Sequence, residues 1–106
     1  MLYERQDQMA ELLRQFSYWV HLNAADKGWH DKPMVLTELI ALKVSELGEA
    51  VEWDRKGNPK SDHIPAFSGV EEELADDILR TLDFAEENNL NVIGAMLAKH
   101  KFNKTR

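Results

Sequence analysis

Glu46 and Glu49 stand three residues apart in a stretch that reads as a long helix, and Glu73 and Asp76 repeat the spacing on the next one. Side chains at i and i+3 share a helix face, about one turn apart. Two such pairs facing each other across a helix interface would gather four carboxylates in one place. Close carboxylates repel one another, and a cation relieves the repulsion. Oxygen ligands of this kind suit Mg²⁺, Mn²⁺ or Ca²⁺. The chemistry in view is that of a hard divalent ion held between two helices.

Periodicity places the elements that must carry these residues. Helix 1 is predicted from about Leu2 to Asn23, with Met9, Leu12, Leu13, Phe16 and Val20 at helical spacing. Tyr18 and His21, near its end, read as packing residues. Asp26, Gly28 and Pro33 mark a connector carrying Trp29 and His30. Helix 2 is predicted from about Met34 to Arg55, with an apolar arc of Leu36, Leu39, Ile40, Leu42, Leu47, Ala50 and Val51. Glu46 falls inside that arc and Glu49 on its edge. A buried carboxylate is costly without a partner, so Glu46 needs either an ion or an ordinary salt bridge, for which Lys43 is in reach. Gly48 lies between the two glutamates, where its small size would let another backbone or a ligand approach.

Gly57, Asn58, Pro59 and Pro65 break the chain into a long loop, in which His63 and Phe67 are expected to pin it to the body. Helix 3 is predicted from about Val70 to Glu87. Here the periodicity runs the other way: Glu73, Asp76, Arg80 and Asp83 share a face opposite the arc of Val70, Leu74, Ala75, Ile78, Leu79, Leu82 and Ala85. By itself that pattern describes a solvated charged face. Only a helix with two partners, as in a bundle that dimerises, makes that face matter. Asn89 or Asn91 caps helix 4, predicted from about Val92 to Phe102. No stretch argues for a strand. The sequence predicts one all-α domain over residues 1–106, a four-helix bundle completed by homodimerisation or by a dimer of dimers.

Composition narrows the function classes. A formal charge of -6 gives no electrostatic case for binding nucleic acid. The basic residues gather in the tail, at Lys99, Lys101, Lys104 and Arg106, where they suit a small polyanion. The absence of cysteine excludes disulfides and thiolate metal sites. The first residues carry charges where a signal peptide needs an apolar run, and no stretch approaches the ~18 apolar residues that cross a bilayer. A cytoplasmic protein without membrane attachment is the expectation. His30-Asp31 matches the dipeptide of HD-type metal phosphohydrolases, but a two-residue match is cheap.

With both pairs in order, separated by about twenty residues, the chain resembles the MazG-like all-α nucleotide pyrophosphohydrolase family. The resemblance extends from about Lys27 to Arg106. It is carried by GWHDKP before helix 2, IALKVSELGEAVE within it, SDHIPAFSG in the loop, EEELADDILRTLD on helix 3 and KHKFNKTR at the tail. It implies hydrolysis of nucleoside triphosphates, NTP or dNTP, between the α and β phosphates, giving the monophosphate and pyrophosphate. It also implies Mg²⁺, with Mn²⁺ as a substitute, on Glu46, Glu49, Glu73 and Asp76. The substrate positions it implies are Lys99, Asn103 and Arg106 in the tail, together with Arg80, Trp29 and Trp53. Dimers or tetramers, and a house-cleaning role toward the nucleotide pool, complete the expectation.

In that mechanism the cation bridges carboxylates and phosphate oxygens and lowers the pKa of water. Glu46 or Glu49 orients or deprotonates the water, and Lys99 and Arg106 neutralise charge on the leaving pyrophosphate. The alternative is a non-catalytic helical dimerisation or interaction module with a vestigial acidic site. A ferritin-like di-iron bundle is set aside because no histidine has a glutamate three residues before it.

Overall fold

Four α-helices carry the chain in the computed structural model, which describes residues 5–106: α1 (Gln6–Asp26), α2 (Leu36–Arg55), α3 (Gly69–Glu87) and α4 (Val92–Asn103). Among the described residues there is no strand, only an isolated bridge between Lys60 and Ser68. The all-α expectation holds, with helix limits within a few residues of those expected; the start of helix 1 at Leu2 lies outside the described residues. No described helix is long and apolar enough to cross a membrane.

Three of the helices stop in the same way. Gly28 and Gly57 take φ values of +80° and +85°, and Asn89 takes +57°. At each, the residue in the left-handed region bonds back three residues and the next bonds back five: Gly28 N to Ala25 O and Trp29 N to Ala24 O, Gly57 N to Asp54 O and Asn58 N to Trp53 O, Asn89 N to Glu86 O and Leu90 N to Ala85 O. This is the Schellman arrangement, which satisfies the last carbonyls and turns the chain sharply. Helix α4 then starts on Asn91, whose side chain accepts from Gly94 N at 2.9 Å.

The chain divides into two compact units, one combining the described residues up to Lys32 with Leu82–Arg106, the other formed by Pro33–Thr81. In the first, α4 packs on α1. The buried residues of α1 are Ala10, Ser17 and Ala24, small side chains seven apart that permit close helix approach. Leu82, Ala85 and Ile93 complete this core. The larger residues expected to form the buried face behave differently: Met9, Leu12 and Phe16 are exposed.

The second unit pairs α2 with the first part of α3. Its connecting loop is tied down by the bonds of Ser61 N to Phe67 O and Gly69 N to Pro59 O, 2.8 and 2.9 Å. Phe67 thus holds the loop through its carbonyl while its side chain stays exposed. Ser68 and Glu71 form a capping box at the start of α3, Ser68 N to Glu71 Oε1 and Glu71 N to Ser68 Oγ.

The polarity of this unit runs opposite to a simple amphipathic packing. Glu46 and Glu73 are 8 % and 6 % exposed, alongside buried Leu39 and Ala50. Leu36, Ile40, Val44, Leu47 and Val51 on α2, and Leu74 and Ile78 on α3, are 44–62 % exposed. The solvated acidic face that periodicity alone would describe on helix 3 is not what the structure has: Glu73 is buried, and Asp76, Asp77 and Arg80 are half-buried. Charge faces inward here because the acidic groups have cationic or hydrogen-bonding partners on α2 and the loop, described next.

Candidate functional site

Glu46, Glu49 and Glu73 each bring a carboxylate oxygen within 4.8 Å of the other two. Helix α2 supplies the first two one turn apart, and α3 supplies the third. Glu73 is the most confined. Its Oε1 accepts from Trp53 Nε1 at 3.4 Å. Its Oε2 is buried with no hydrogen-bond partner. Asp77 Oδ1 also lacks a hydrogen bond by geometry, but Lys43 Nζ lies 2.9 Å from it. Among the described residues Glu73 Oε2 is therefore the buried side-chain oxygen with neither a donor nor a countercharge.

Burial is the first reason that the Glu73 carboxyl titrates far above the ordinary range, at about 8; its contacts with Glu46 and Glu49 add to the effect, and the Trp53 N–H opposes it. Asp76 is also raised, by burial first and then by the negative charges of Glu46 and Glu72. It belongs to a second group, Glu72, Glu73 and Asp76, whose oxygens also lie within 4.8 Å of one another. The four residues expected as ligands are thus divided between two triplets that share Glu73, the second completed by Glu72.

Glu72 was not anticipated. It accepts from Ser61 Oγ and lies 2.8 Å from His63 Nδ1, and these two bonds hold its carboxyl below its usual range. Ser61 is 2 % exposed and also accepts from the backbone N–H groups of His63 and Ile64. The expected pinning role of His63 is thus seen as a bond to Glu72. No sequence signal distinguishes Ser61 from other loop serines.

The salt bridge considered for Glu46 is made by a different cation. Arg80 Nε and Nη2 lie 2.8 and 2.6 Å from Glu46 Oε1, whereas Lys43 turns to Asp77 and donates to Asp77 O and Thr81 Oγ1. The reason is reach along the facing helix: residues 77 and 81 stand one turn apart opposite Lys43. The glycine that admits a close neighbour also differs from the one expected. A Cβ at Gly48 would meet nothing, but one at Gly69 would overlap the Cγ, Cδ2 and Cε3 atoms of Trp53. Trp53, expected at the substrate, is half-buried against Gly69 and bonded to Glu73.

The remaining expected substrate residues, Trp29, Lys99, Asn103 and Arg106, belong to the first unit and are exposed. Lys99 Nζ sits 4.6 Å from the Phe102 ring centroid, and Arg106 Nη1 lies 3.5 Å from Asn103 Oδ1.

Three carboxylates around an unsatisfied buried oxygen fit a hard divalent cation by donor chemistry. Without an ion, Glu73 makes stability depend on pH. A carboxyl raised in the folded state contributes most below its unfolded value of 4.5, and that contribution is lost as pH rises through about 8. At ~1.4 kcal/mol per tenfold change in proton affinity, the loss is on the order of 2–5 kcal/mol. Chelator-treated protein is expected to melt progressively lower between pH 5 and 8, and added Mg²⁺ to restore most at the upper end, as thermal melts at successive pH values would record.

Comparisons of the chain with protein-family models, with curated proteins and with solved structures found no match.

Proposed function

We propose that the second unit is the catalytic core of a divalent-cation-dependent nucleoside triphosphate pyrophosphohydrolase, acting on NTP or dNTP in the cytoplasmic nucleotide pool and related to the MazG-like family. The observation that carries the reading is the buried, unpartnered Glu73 Oε2 beside Glu46 and Glu49. A purely structural ion-pair network gives its buried oxygens donors; this one gives Glu73 Oε2 none.

Glu46, Glu49 and Glu73 would hold Mg²⁺ or Mn²⁺, and Asp76 belongs to the adjoining triplet that shares Glu73. A divalent ion bound there would supply positive charge toward the phosphate oxygens and acidify nearby water. Glu49, the exposed member of the triplet, would orient or deprotonate a water for attack on the α phosphorus. Arg80 neutralises Glu46 and holds its carboxylate in one orientation. Trp53 fixes Glu73 through its indole N–H. Trp29, Lys99, Asn103 and Arg106 belong to the first unit and are no part of this core.

A vestigial helical module is the second reading, favoured by the Arg80–Glu46 pair, which gives one carboxylate a partner without any ion. A panel of NTPs and dNTPs with Mg²⁺, scored separately for pyrophosphate and orthophosphate, separates the two. Pyrophosphate is expected as the first product, and Glu49→Gln is expected to lose turnover while keeping its helical circular dichroism. Orthophosphate first, no turnover, or normal turnover in the variant would reject the reading.

The exposed stripe of Leu36, Ile40, Val44, Leu47 and Val51 follows a spacing of 4, 4, 3 and 4 residues, which is the seam of a helix that packs on another helix. We propose that a second copy of the chain covers it, giving a homodimer or homotetramer. Val44→Glu places a charge at the middle of that stripe. Light scattering is expected to show the variant as a monomer where the wild type is a dimer or larger.

A further inference from the structure

Away from the carboxylate cluster, one group of side chains offers nitrogen and oxygen donors together. It consists of His21 on α1, His30 in the turn that follows, and Asp83 and Glu87 one turn apart on α3, all in the first unit. His21 Nδ1 lies 3.2 Å and His30 Nε2 lies 2.7 Å from the same oxygen, Asp83 Oδ1. The other two ring nitrogens, His21 Nε2 and His30 Nδ1, lie 3.6 and 3.7 Å from Glu87 Oε2. The His30, His21 and Asp83 side chains are 14 %, 19 % and 20 % exposed. The two imidazoles are tilted at 40° with centroids 5.0 Å apart, so they meet through their edges and the carboxylates, not as a stack.

We propose that His21 Nδ1, His30 Nε2 and Asp83 Oδ1 form a binding site for a first-row transition cation of the Zn²⁺ class, with Glu87 orienting both imidazoles from behind. One donor atom from each of the three residues already falls within 4.8 Å of the others. Ligands of a tetrahedral ion with bonds of about 2.0–2.1 Å stand roughly 3.3 Å apart. The His21 separation from Asp83 Oδ1, 3.2 Å, is already close to that spacing, and the His30 separation, 2.7 Å, needs to open by roughly 0.6 Å to reach it. Two imidazoles and one carboxylate select Zn²⁺ and its neighbours over Mg²⁺ or Ca²⁺. The position of Glu87 is the second indication. A ligating histidine donates its outer N–H to a carboxylate or carbonyl, which fixes the ring and its tautomer. Here both outer nitrogens face one oxygen of one glutamate, at ion-pair distances that are longer than a hydrogen bond. Three protein ligands leave a coordination position open for water or an exogenous ligand.

Local structure explains the convergence. The left-handed turn at Gly28 ends α1 and reverses the chain, so His30 comes back beside His21. Asp83 and Glu87 are an i, i+4 pair that presents both carboxylates on one face of α3. The pairing of His30 with Asp83, not with its neighbour Asp31, also disposes of the HD dipeptide as a unit.

Long-range ¹H–¹⁵N spectra of the wild-type chain, recorded during titration with Zn²⁺, test the assignment directly. His21 Nδ1 and His30 Nε2 are expected to move to metal-bound shifts at one equivalent, with the other two histidines unchanged. Visible absorption with Co²⁺ gives the affinity. His30→Ala and Asp83→Asn are expected to abolish the tight site, and Glu87→Gln to weaken it about 10–100-fold, whereas Glu73→Gln leaves it intact. No Zn²⁺ effect on these nitrogens, or coordination through His21 Nε2 or His30 Nδ1, would overturn the proposal and leave an ion-pair cluster. The wild-type spectrum decides this even where a variant fails to fold.

Discussion

Glu73→Gln is expected to raise the melting temperature of ion-free protein at pH 8 by roughly 10 °C and to abolish turnover in the same molecule. The two effects have one cause. In wild type, a 6 % exposed carboxyl must either hold a proton at about 8 or carry a charge beside Glu46 and Glu49. Glutamine keeps the shape, accepts from Trp53 and donates to the neighbouring carboxylates, so burial no longer depends on protonation. The amide cannot supply the charge that a divalent ion would need there. Loss of a direct ligand should exceed the ~100-fold that outer partners of metal sites can cost. Thermal melts with and without Mg²⁺, beside an activity assay, read both effects. A variant less stable than wild type at pH 8, or one still active, would count against the assignment.

Gly69→Ala should be among the most disruptive single-methyl changes in the chain. The added Cβ falls inside the Trp53 indole, a flat ring that cannot bend away. Either α3 shifts at its first turn or Trp53 swings out, and the second course removes the N–H from Glu73. Overpacking costs about 1–3 kcal/mol, and loss of the bond to a buried carboxyl adds to it. A fall in melting temperature of roughly 10 °C or more is expected, with Trp fluorescence shifting toward that of an exposed indole. Trp53→Leu in the Gly69→Ala background should recover much of the loss, because it removes the overlapping atoms; additive losses in the double variant would show that the two residues do not meet.

The helices themselves were legible because their punctuation is local. Gly28, Gly57 and the asparagines at 89 and 91 mark stops and starts through backbone conformation, which needs no distant partner. The inward position of Glu46 was also readable, from its place inside the apolar arc of α2. The inward face of α3 was not. Its acidic residues looked solvated because periodicity records which side of a helix differs, not which side is buried. What turns that face inward is long-range: Arg80 reaching Glu46, Lys43 reaching Asp77, and Ser61 with His63 reaching Glu72. For the same reason Lys43 appeared to be the partner of Glu46. The histidine–carboxylate cluster is not legible in the sequence because His21 and Asp83 are 62 residues apart and neither carries a local motif.

Glu73 and its two neighbours are expected to hold a hard divalent ion. Electron paramagnetic resonance of Mn²⁺ titrated into the whole chain at pH 8 tests it most directly, with Mg²⁺ added afterwards as competitor. Wild type is expected to bind Mn²⁺ that Mg²⁺ displaces, and Glu73→Gln to lose that fraction. Wild-type protein that binds no Mg²⁺-displaceable Mn²⁺, or a variant that binds it equally well, would contradict the account.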